Sequence, residues 1–422
     1  IYKKLLINQF HDILPGSHIH PVYEDAMADY DDINKRLDAI IGTGSKYFNT
    51  LNFTRDALTF VPNKKGTATR YGVKGNWIIP NIPALSSSSL RAASYKEQWL
   101  TVGDTVETPF YSLQFNEDGS IASLFDKELE REWTDGDFNK LKIYTDNPGN
   151  YDAWDILPNY KDKQIEIKVT EPLALCEQDG ESATFKAILS TEKSTWTMLI
   201  RLFRRSRGIE VENIVNWNEK HRLAKAEFGC NVLTRKALCD TSAGFIERDT
   251  HKNTTWQQAR FETCHHKWAD LAETDGGIAI INDGKYGIGF DNNVMSLSLL
   301  RATIRPDVTS DMGMHNFCYM IMPHSEDAVK AGINNIAFQY NVPLVKADVE
   351  YNGNIFAPLY LQAMKKAEDS DMTVIRLSEQ DGTRGRIKLD KKVKLLNMLE
   401  EVEGETDIIE YKPFEIITIG VE

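Results

Sequence analysis

The chain has 422 residues, of which 41% are hydrophobic and 26% charged, a composition typical of a globular protein with two or three separate cores. The formal net charge is −13, and the 49 lysines and arginines form no run that could follow a phosphate backbone, which argues against nucleic acid as a partner. The longest apolar runs, such as GGIAIIN and FEIITIGV, are far shorter than the roughly 20 residues of a membrane-spanning helix, so membrane contact is not expected.

Residues 1–47 are predicted to be helical. In HPVYEDAMADYDDINKRLDAII, apolar residues recur at steps of three and four and form one stripe, while the charged residues form a solvated face. The preceding stretch, YKKLLINQFHD, is predicted to form another helix that ends at Leu14-Pro15-Gly16, because a residue before proline avoids helical dihedral angles. His11 and Asp12 would then lie at the C-terminal end of a helix.

From about residue 48, short β-branched and aromatic runs separated by turn residues predict strands. FNEDGSIASLFD is predicted to be a hairpin with Asp118-Gly119 in its turn, and INDGKYGIGFDNN a second hairpin with Asp283-Gly284. One later stretch, SEDAVKAGINNIAF, is predicted to be helical.

The predicted fold class is therefore mainly β, with a short N-terminal helical-bundle segment followed by consecutive β-sandwich domains. The helical segment, part of a three-helix bundle, is placed at residues 1–47. The predicted β-sandwich regions are a small one at 48–103, a large one at 104–340 and a C-terminal subdomain at 341–422.

The stretch NQFHDILPGSHIHP, residues 8–21, contains three histidines. The dipole at a helix C-terminus favours a histidine such as His11 but disfavours a carboxylate, so Asp12 needs another partner, such as a cation or a polyol hydroxyl. His18 and His20 lie two apart outside a helical frame, so a local three-histidine zinc site is not favoured.

The stretch NYDAWDI places aromatic and acidic residues in a turn-rich cluster: Tyr151, Asp152, Trp154 and Asp155. This combination suits sugar recognition, because carboxylates accept hydrogen bonds from hydroxyls and aromatic rings stack on the apolar face of a sugar. A packed loop with satisfied side chains explains the same residues, so both interpretations stay open.

The five cysteines are scattered and never form a CxxC pair, which predicts buried free thiols in a reducing, cytoplasmic compartment. Cys264, His265 and His266 are consecutive, and in an extended segment they alternate between faces. They are therefore predicted to be structural rather than to bind a metal ion.

The segment LLINQFHDILPGSHIHPVYEDAMADY resembles the histidine-aspartate segment of glycoside hydrolase family 38 α-mannosidases, in the branch of cytosolic, vacuolar and bacterial enzymes. NTLNFTRDALTFVPN, FYSLQFNEDGSIASLFDKELEREW, YDAWDI and IERDTHKNTTWQQARFETCHHKWADL follow in the family's order, so the resemblance covers nearly the whole chain. It implies a mutarotase-like fold for the largest sandwich and a parent protein that is a zinc-containing, retaining hydrolase of α-mannosides.

The resemblance also implies roles for particular residues. His11 corresponds to a zinc ligand, and Asp12 is expected to contact substrate hydroxyls. Tyr151, Asp152, Trp154 and Asp155 are expected to bind substrate, because in the family this loop comes near the mouth of the active site.

The catalytic residues of the family are expected to lie outside this chain. The nucleophilic aspartate, a His-x-Asp zinc pair and the acid/base carboxylate belong to an N-terminal α/β domain, and His-x-Asp occurs nowhere in this sequence. The chain alone is therefore expected to be inactive and not to retain zinc. Its expected partners are mannosides or mannose-containing glycans and the N-terminal catalytic domain of the same protein.

Two alternatives stay open at this level. The chain could be a non-catalytic carbohydrate-binding or scaffold module, or part of a family relative that acts on phosphorylated mannosyl compounds. The sequence is also compatible with a homo-oligomer, and it does not define the linkage or distinguish a glycan from a small mannoside.

Overall fold

The computed structural model describes residues 1–41, 44–93, 95 and 97–422. The helices in these ranges are α1 (Tyr2–Ile7), α2 (His20–Ile40), α3 (Thr255–Ala259) and α4 (Ile333–Asn341), with a 3-10 turn at Tyr160–Asp162. No helix within the described ranges is both long enough and apolar enough to cross a membrane. Helix α4 lies within the region predicted to be helical, but it begins only after Gly332, whose φ of 70° breaks the preceding turns.

The strands, numbered in chain order, belong to three groups. The first group is β1 (Tyr47–Phe48), β2 (Thr59–Pro62), β3 (Ala68–Arg70), β4 (Val73–Ile78), β5 (Ser87–Ser88), β6 (Thr101–Val102), β7 (Val106–Glu107), β8 (Tyr111–Phe115), β9 (Ile121–Asp126) and β10 (Arg131–Glu132). The second group is β11 (Thr134–Thr145), β12 (Lys168–Gln178), β13 (Ser182–Ser190), β14 (Thr195–Phe203), β15 (Ile209–Trp217), β16 (Arg222–Cys230), β17 (Lys236–Thr241), β18 (Gly244–Asp249), β19 (Thr263–Cys264), β20 (Trp268–Ala272), β21 (Gly276–Asn282), β22 (Gly287–Asp291), β23 (Val294–Arg301) and β24 (Gly313–Ser325). The third group is β25 (Val345–Lys346), β26 (Tyr360–Lys366), β27 (Thr373–Ser378), β28 (Gly385–Leu396), β29 (Val402–Tyr411) and β30 (Ile416–Val421).

The N-terminal region consists of α1 packed on α2. The prediction of a helix from the HPVYED stretch is confirmed, with Pro21 in the first turn, where its missing N–H costs nothing. Lys4 of α1 donates to Asp29 at 2.8 Å and lies 3.0 Å from Asp32, so two aspartates expected on a solvated face instead bind the neighbouring helix. In the apolar stripe of α2, only Ile33 is fully buried.

A large β-sandwich forms the centre of the molecule. A nine-stranded sheet, β12-β13-β14-β15-β24-β21-β20-β17-β18, and a five-stranded sheet, β11-β16-β23-β22-β19, contribute buried side chains to one hydrophobic cluster. Trp196 and Trp217 come from the first sheet, and Phe228 and Leu297 from the second. Shared burial of this kind means that the two sheets pack face to face, which confirms the mainly β fold class.

Two further regions flank the sandwich. The sheet β10-β9-β8-β7-β6 adds Leu113 and Leu124 to the same cluster, and its first strand begins at Thr101, just before the boundary placed at 103. The C-terminal strands form a five-stranded sheet, β26-β27-β30-β28-β29, with a separate cluster that includes Leu377 and Ile419.

One of the two predicted hairpins is wrong. The Asp118-Gly119 turn joins β8 to β9 as predicted. The turn at Asp283-Gly284, however, carries the chain from β21 in the nine-stranded sheet to β22 in the five-stranded sheet. The carboxylate of Asp283 accepts hydrogen bonds from the Cys318 backbone N–H in β24, at 3.0 and 3.1 Å, and from the Tyr71 hydroxyl. These bonds fix the turn on the first sheet, and turn residues alone do not specify which sheet the next strand joins.

The segment after α4 closes back on the first strands. The fully buried guanidinium of Arg55 donates to the carbonyls of Gln339 (2.9 Å) and Val342 (2.6 Å), so it caps the C-terminal end of α4. Asn52 donates to the carbonyls of Ile355 and Leu359. Strand β1 lies between β5 and β25, which joins residues about 300 positions apart in one small sheet.

Candidate functional site

His11 and Asp12 lie in turns beyond the end of α1, so the prediction that they occupy a helix terminus is wrong. The helix ends at Ile7, and the chain continues to Gly16 in successive turns. The buried Asn8 explains the early end, because its side-chain amide donates to the Lys4 carbonyl (2.9 Å) and to Asp29 (3.2 Å). Such bonds from an asparagine side chain compete with continuation of the helix.

The carboxylate of Asp12 connects two distant segments of the chain. Its Oδ1 accepts a hydrogen bond from the Ser17 hydroxyl at 2.9 Å and from the indole N–H of Trp154 at 3.2 Å. Its Oδ2 lies 3.7 Å from His11 Nε2, beyond hydrogen-bonding distance, and the side chain is 37% exposed. The partner required by Asp12 is therefore supplied in part by the protein, and one oxygen remains free for a ligand.

Trp154 belongs to the loop between β11 and β12, in four consecutive turn residues. The side chains of Tyr151 and Trp154 are 72% and 54% exposed, and their ring centroids lie 6.4 Å apart at an interplanar angle of 69°. The Asp155 side chain is also exposed and accepts only the N–H of its neighbour Ile156 among the described residues. Two exposed rings beside a partly free carboxylate form a surface suited to a ligand with apolar and hydroxylated faces.

Asp152 differs from its neighbours because it is only 1% exposed. Its two carboxylate oxygens accept the backbone N–H groups of Ile304 (2.7 Å) and Arg305 (3.0 Å). His221 Nδ1 lies 3.7 Å away. With both oxygens already bonded to the backbone, the carboxylate is arranged to hold the loop in place rather than to meet a ligand directly.

A second anchor holds the base of the same loop. Asp146 forms an ion pair with Arg301 and accepts the Leu157 N–H at 2.9 Å. The Arg301 guanidinium also donates to the Asp155 carbonyl at 2.7 Å. The loop is therefore tied at both ends to the strands of the sandwich, which limits the movement of Trp154.

The start of α2 is joined to the segment that holds Asp152. His20 Nδ1 lies 2.9 Å from Asp307 Oδ2 and 3.3 Å from the Thr309 hydroxyl. Burial alone would raise the pKa of Asp307, but hydrogen bonds from Thr309 and His20 hold it below its ordinary value. This contact, together with the Ser17 hydrogen bond, was not predicted from the sequence, because the residues are separated by nearly the whole sandwich.

The donors present were tested against a zinc ion. The His11 side chain is 78% exposed and has no hydrogen-bond partner among the described residues, so its imidazole is available as one ligand. One histidine fits a site completed by other groups but does not make a tetrahedral site. His18 and His20 face the Ile19 carbonyl and Asp307 instead.

The described residues bring together one other group of metal-ligating types: Glu210, Glu212 and Cys318. Arg201 forms ion pairs with both carboxylates, and Arg70 with Glu210. Burial raises the pKa of the Cys318 thiol well above its ordinary value. With the carboxylates neutralised and the thiol protonated, this cluster is a buried ion-pair network rather than a metal centre.

Three family models match the sequence. The alpha mannosidase middle domain matches residues 1–47, the glycosyl hydrolases family 38 C-terminal domain residues 106–309, and the glycosyl hydrolases family 38 C-terminal beta sandwich domain residues 358–419. The first match contains His11 and Asp12, and the second contains the Trp154 loop.

Curated relatives agree with these models. Alpha-mannosidase 2C1 of Mus musculus is 30% identical over 82% of this chain and 35% of its own length. Alpha-mannosidase G of Dictyostelium discoideum is 29% identical over 99% of this chain and 47% of its own length. The chain thus spans less than half the length of these relatives.

The fold matches a solved structure over its full length. The crystal structure of an alpha-mannosidase from Enterococcus faecalis V583 has a TM-score of 0.73 and 15% identity, and the match covers 100% of this chain and 63% of the other. At that identity the likeness establishes the fold alone. The ordered matches to the middle and C-terminal domain models, together with the relatives, place this chain in glycoside hydrolase family 38, as a C-terminal portion of an α-mannosidase.

Proposed function

We propose that this chain supplies part of the sugar-binding site, and one zinc ligand, to a retaining α-mannosidase that removes terminal α-mannosyl residues. The observation that carries the proposal is the 3.2 Å hydrogen bond from Trp154 to Asp12, which joins two segments 142 positions apart in the sequence. Both segments were selected from the sequence as sugar-binding candidates. Their meeting at one exposed surface supports a common role.

In this proposal each side chain of the site has a definite task. The Trp154 and Tyr151 rings bind the apolar face of the mannosyl ring, and the free Oδ2 of Asp12 accepts a hydrogen bond from a sugar hydroxyl. Asp155 offers a second exposed carboxylate at the edge of the loop. Asp152 is a positioning residue, because it binds the backbone that supports the loop.

His11 would contribute one imidazole to the zinc ion, and its exposure leaves that nitrogen accessible to groups outside this chain. A zinc ion supplies Lewis-acid binding of sugar hydroxyls at such a site. The two carboxyl groups of a retaining reaction, about 5–5.5 Å apart, would come from an N-terminal catalytic domain. No catalytic residue is assigned within these 422 residues.

The surface of the helical region supports contact with such a domain. Large apolar side chains are unusually exposed here: Tyr2, Leu6, Ile7, Phe10, Leu14, Ile19, Tyr23 and Met27 are all at least 46% exposed. Apolar surface of this extent on the element that carries His11 is typical of a region covered by another part of a protein. We propose that the N-terminal domain of the same protein covers it.

The substrates would be mannosides or mannose-containing glycans, and the compartment the cytoplasm. All five cysteines are free, and three of them are buried, which agrees with a reducing environment. A phosphorylated substrate would call for cationic side chains beside Asp12. Among the described residues, the side chains that contact this carboxylate are Ser17, Trp154 and His11, which favours an unphosphorylated sugar.

The test compares hydrolysis of a chromogenic α-mannoside by the chain alone and by the chain joined to the N-terminal domain of a family 38 mannosidase. Hydrolysis is expected only from the joined protein. There, His11→Ala should lower kcat/KM by at least 100-fold and reduce the zinc content, whereas the neighbouring His18→Ala should do neither. Turnover by the chain alone would contradict the assignment of the catalytic carboxyls to another domain. Hydrolysis and zinc content that are equal in the two variants would contradict the role of His11.

A further inference from the structure

A second cavity lies at the same end of the large sandwich as the Trp154 loop. Its volume is about 310 Å³. The loop leaves β11 after Thr145 and returns at Ile165, whose N–H bonds to the Ile143 carbonyl at 2.8 Å, and Ile165 lines the cavity. The opposite wall comes from Glu219 and Arg222, at the turn between β15 and β16.

Glu219 forms a rigid acceptor in this wall. Its side chain is 5% exposed, and Oε1 accepts hydrogen bonds from the hydroxyls of Thr191 (2.5 Å) and Ser194 (3.1 Å). Oε2 accepts none from the described part of the chain, and Arg222 Nε lies 3.9 Å from it. Oε2 is also absent from the buried unpartnered atoms, so it is open to the cavity.

Arg222 places donors beside this oxygen. Its Nη1 donates to the Thr145 hydroxyl (3.3 Å) and to the His221 carbonyl (3.1 Å), which fixes the plane of the guanidinium. Nη2 has no acceptor among residues 1–41, 44–93, 95 and 97–422. A fixed donor and a fixed acceptor therefore lie next to each other in one wall.

The charge of the lining limits the kind of ligand. Three basic side chains, Lys168, Lys193 and Arg222, face three acidic ones, Glu166, Glu192 and Glu219. A phosphate or sulfate would need a positive excess, and a cation a negative excess. A hydroxyl both donates and accepts, so a neutral ligand with neighbouring hydroxyls matches the paired carboxylate and guanidinium.

We propose that this cavity is a second saccharide-binding subsite, which holds a sugar unit other than the one at Trp154. The inference rests on the proposed function for the identity of the sugar as part of a mannose-containing glycan. It further specifies the substrate class: oligosaccharides, whose additional units gain affinity at Glu219 and Arg222, rather than small mannosides. A volume of about 310 Å³ lies within the range of small-molecule sites and accommodates one sugar ring.

The test measures binding of a neutral mannopentaose to the 422-residue chain by isothermal titration calorimetry. Glu219→Gln keeps an oxygen for Thr191 and Ser194 but replaces the free carboxylate oxygen with an amide nitrogen, and it should weaken binding about tenfold. Glu171→Gln, on the exposed face of β12 outside the cavity, is the matched control and should leave the affinity unchanged. If Glu219→Gln fails to fold, Arg222→Lys tests the same pair while keeping the charge.

Trp154→Ala separates this inference from the proposed function. Binding that depends on Glu219 but survives Trp154→Ala supports the second subsite even if the joined protein hydrolyses no mannoside. Binding that is lost in Trp154→Ala and unchanged in both Glu219→Gln and Arg222→Lys supports the first site and overturns the second. Absence of any mannopentaose binding to the unmodified chain also overturns it.

Discussion

The strongest single anchor of the candidate site is the carboxylate of Asp152, and Asp152→Asn isolates its contribution. The substitution keeps the size of the side chain but leaves one acceptor oxygen for two backbone N–H groups, those of Ile304 and Arg305. One charge-assisted hydrogen bond is lost, and an amide donor then faces a buried N–H. Each of these effects costs about 1–3 kcal/mol, and because they overlap, we expect a total loss of about 3 kcal/mol.

Two measurements check this value. Urea denaturation should give a free energy of unfolding about 3 kcal/mol lower than that of the unmodified chain, and hydrogen exchange at the two amides should accelerate about 100-fold. Asp155→Asn is the matched control, because it makes the same chemical change in the same loop at an exposed position, and it should have little effect on either measurement. Equal unfolding and equal exchange in the two variants would refute the view that Asp152 anchors the loop.

Three further outcomes follow from other features. Arg55→Met should lower the free energy of unfolding by about 3 kcal/mol, because the α4 carbonyls lose a buried cationic cap, while the exposed Arg91→Met should change it little; similar urea midpoints for the two variants would contradict this. Burial lowers the pKa of His265 to about 3, so the unfolded state binds the extra proton below pH 6.5 and stability should fall with pH by up to about 1.4 kcal/mol per unit. His265→Gln should lack this part of the slope between pH 6.5 and 5, and parallel slopes would exclude the effect. Finally, because His11 is the single zinc ligand assigned in this chain, EDTA should leave the unfolding temperature of the chain unchanged, and a lower temperature would indicate a complete metal site.

The predictions from sequence succeeded where local patterns determine structure. The apolar period and Pro21 defined α2, and Asp118-Gly119 defined a hairpin. The same logic failed at Asp283-Gly284, because the destination of the next strand depends on bonds to Cys318 and Tyr71, which are distant in the sequence. It also extended α1 too far, since Asn8 is compatible with helix and ends it only through its contacts with Lys4 and Asp29.

The candidate site was predictable in its members but not in its arrangement. The chemistry of His11, Asp12 and Trp154, with the family resemblance, selected them one segment at a time. Nothing in their spacing indicates that the indole would donate to the carboxylate, because that contact depends on how the sandwich presents the β11–β12 loop to the helical region. The cavity at Glu219 and Arg222 went unnoticed for the same reason, since no motif marks either residue.

The pairing of β1 with β25, together with the capping of α4 by Arg55, affects how the chain can fold during synthesis. Strand β1 leaves the ribosome about 300 residues before its partner β25. At typical elongation rates of about 5–20 residues per second, it waits roughly 15–60 s for that partner. Throughout this interval the buried Arg55 and the apolar side chains around it have no α4 to pack against. The region near residues 47–93 is therefore the part of a nascent chain most exposed to chaperones and proteases, although in the finished protein it is held from both ends of the sequence.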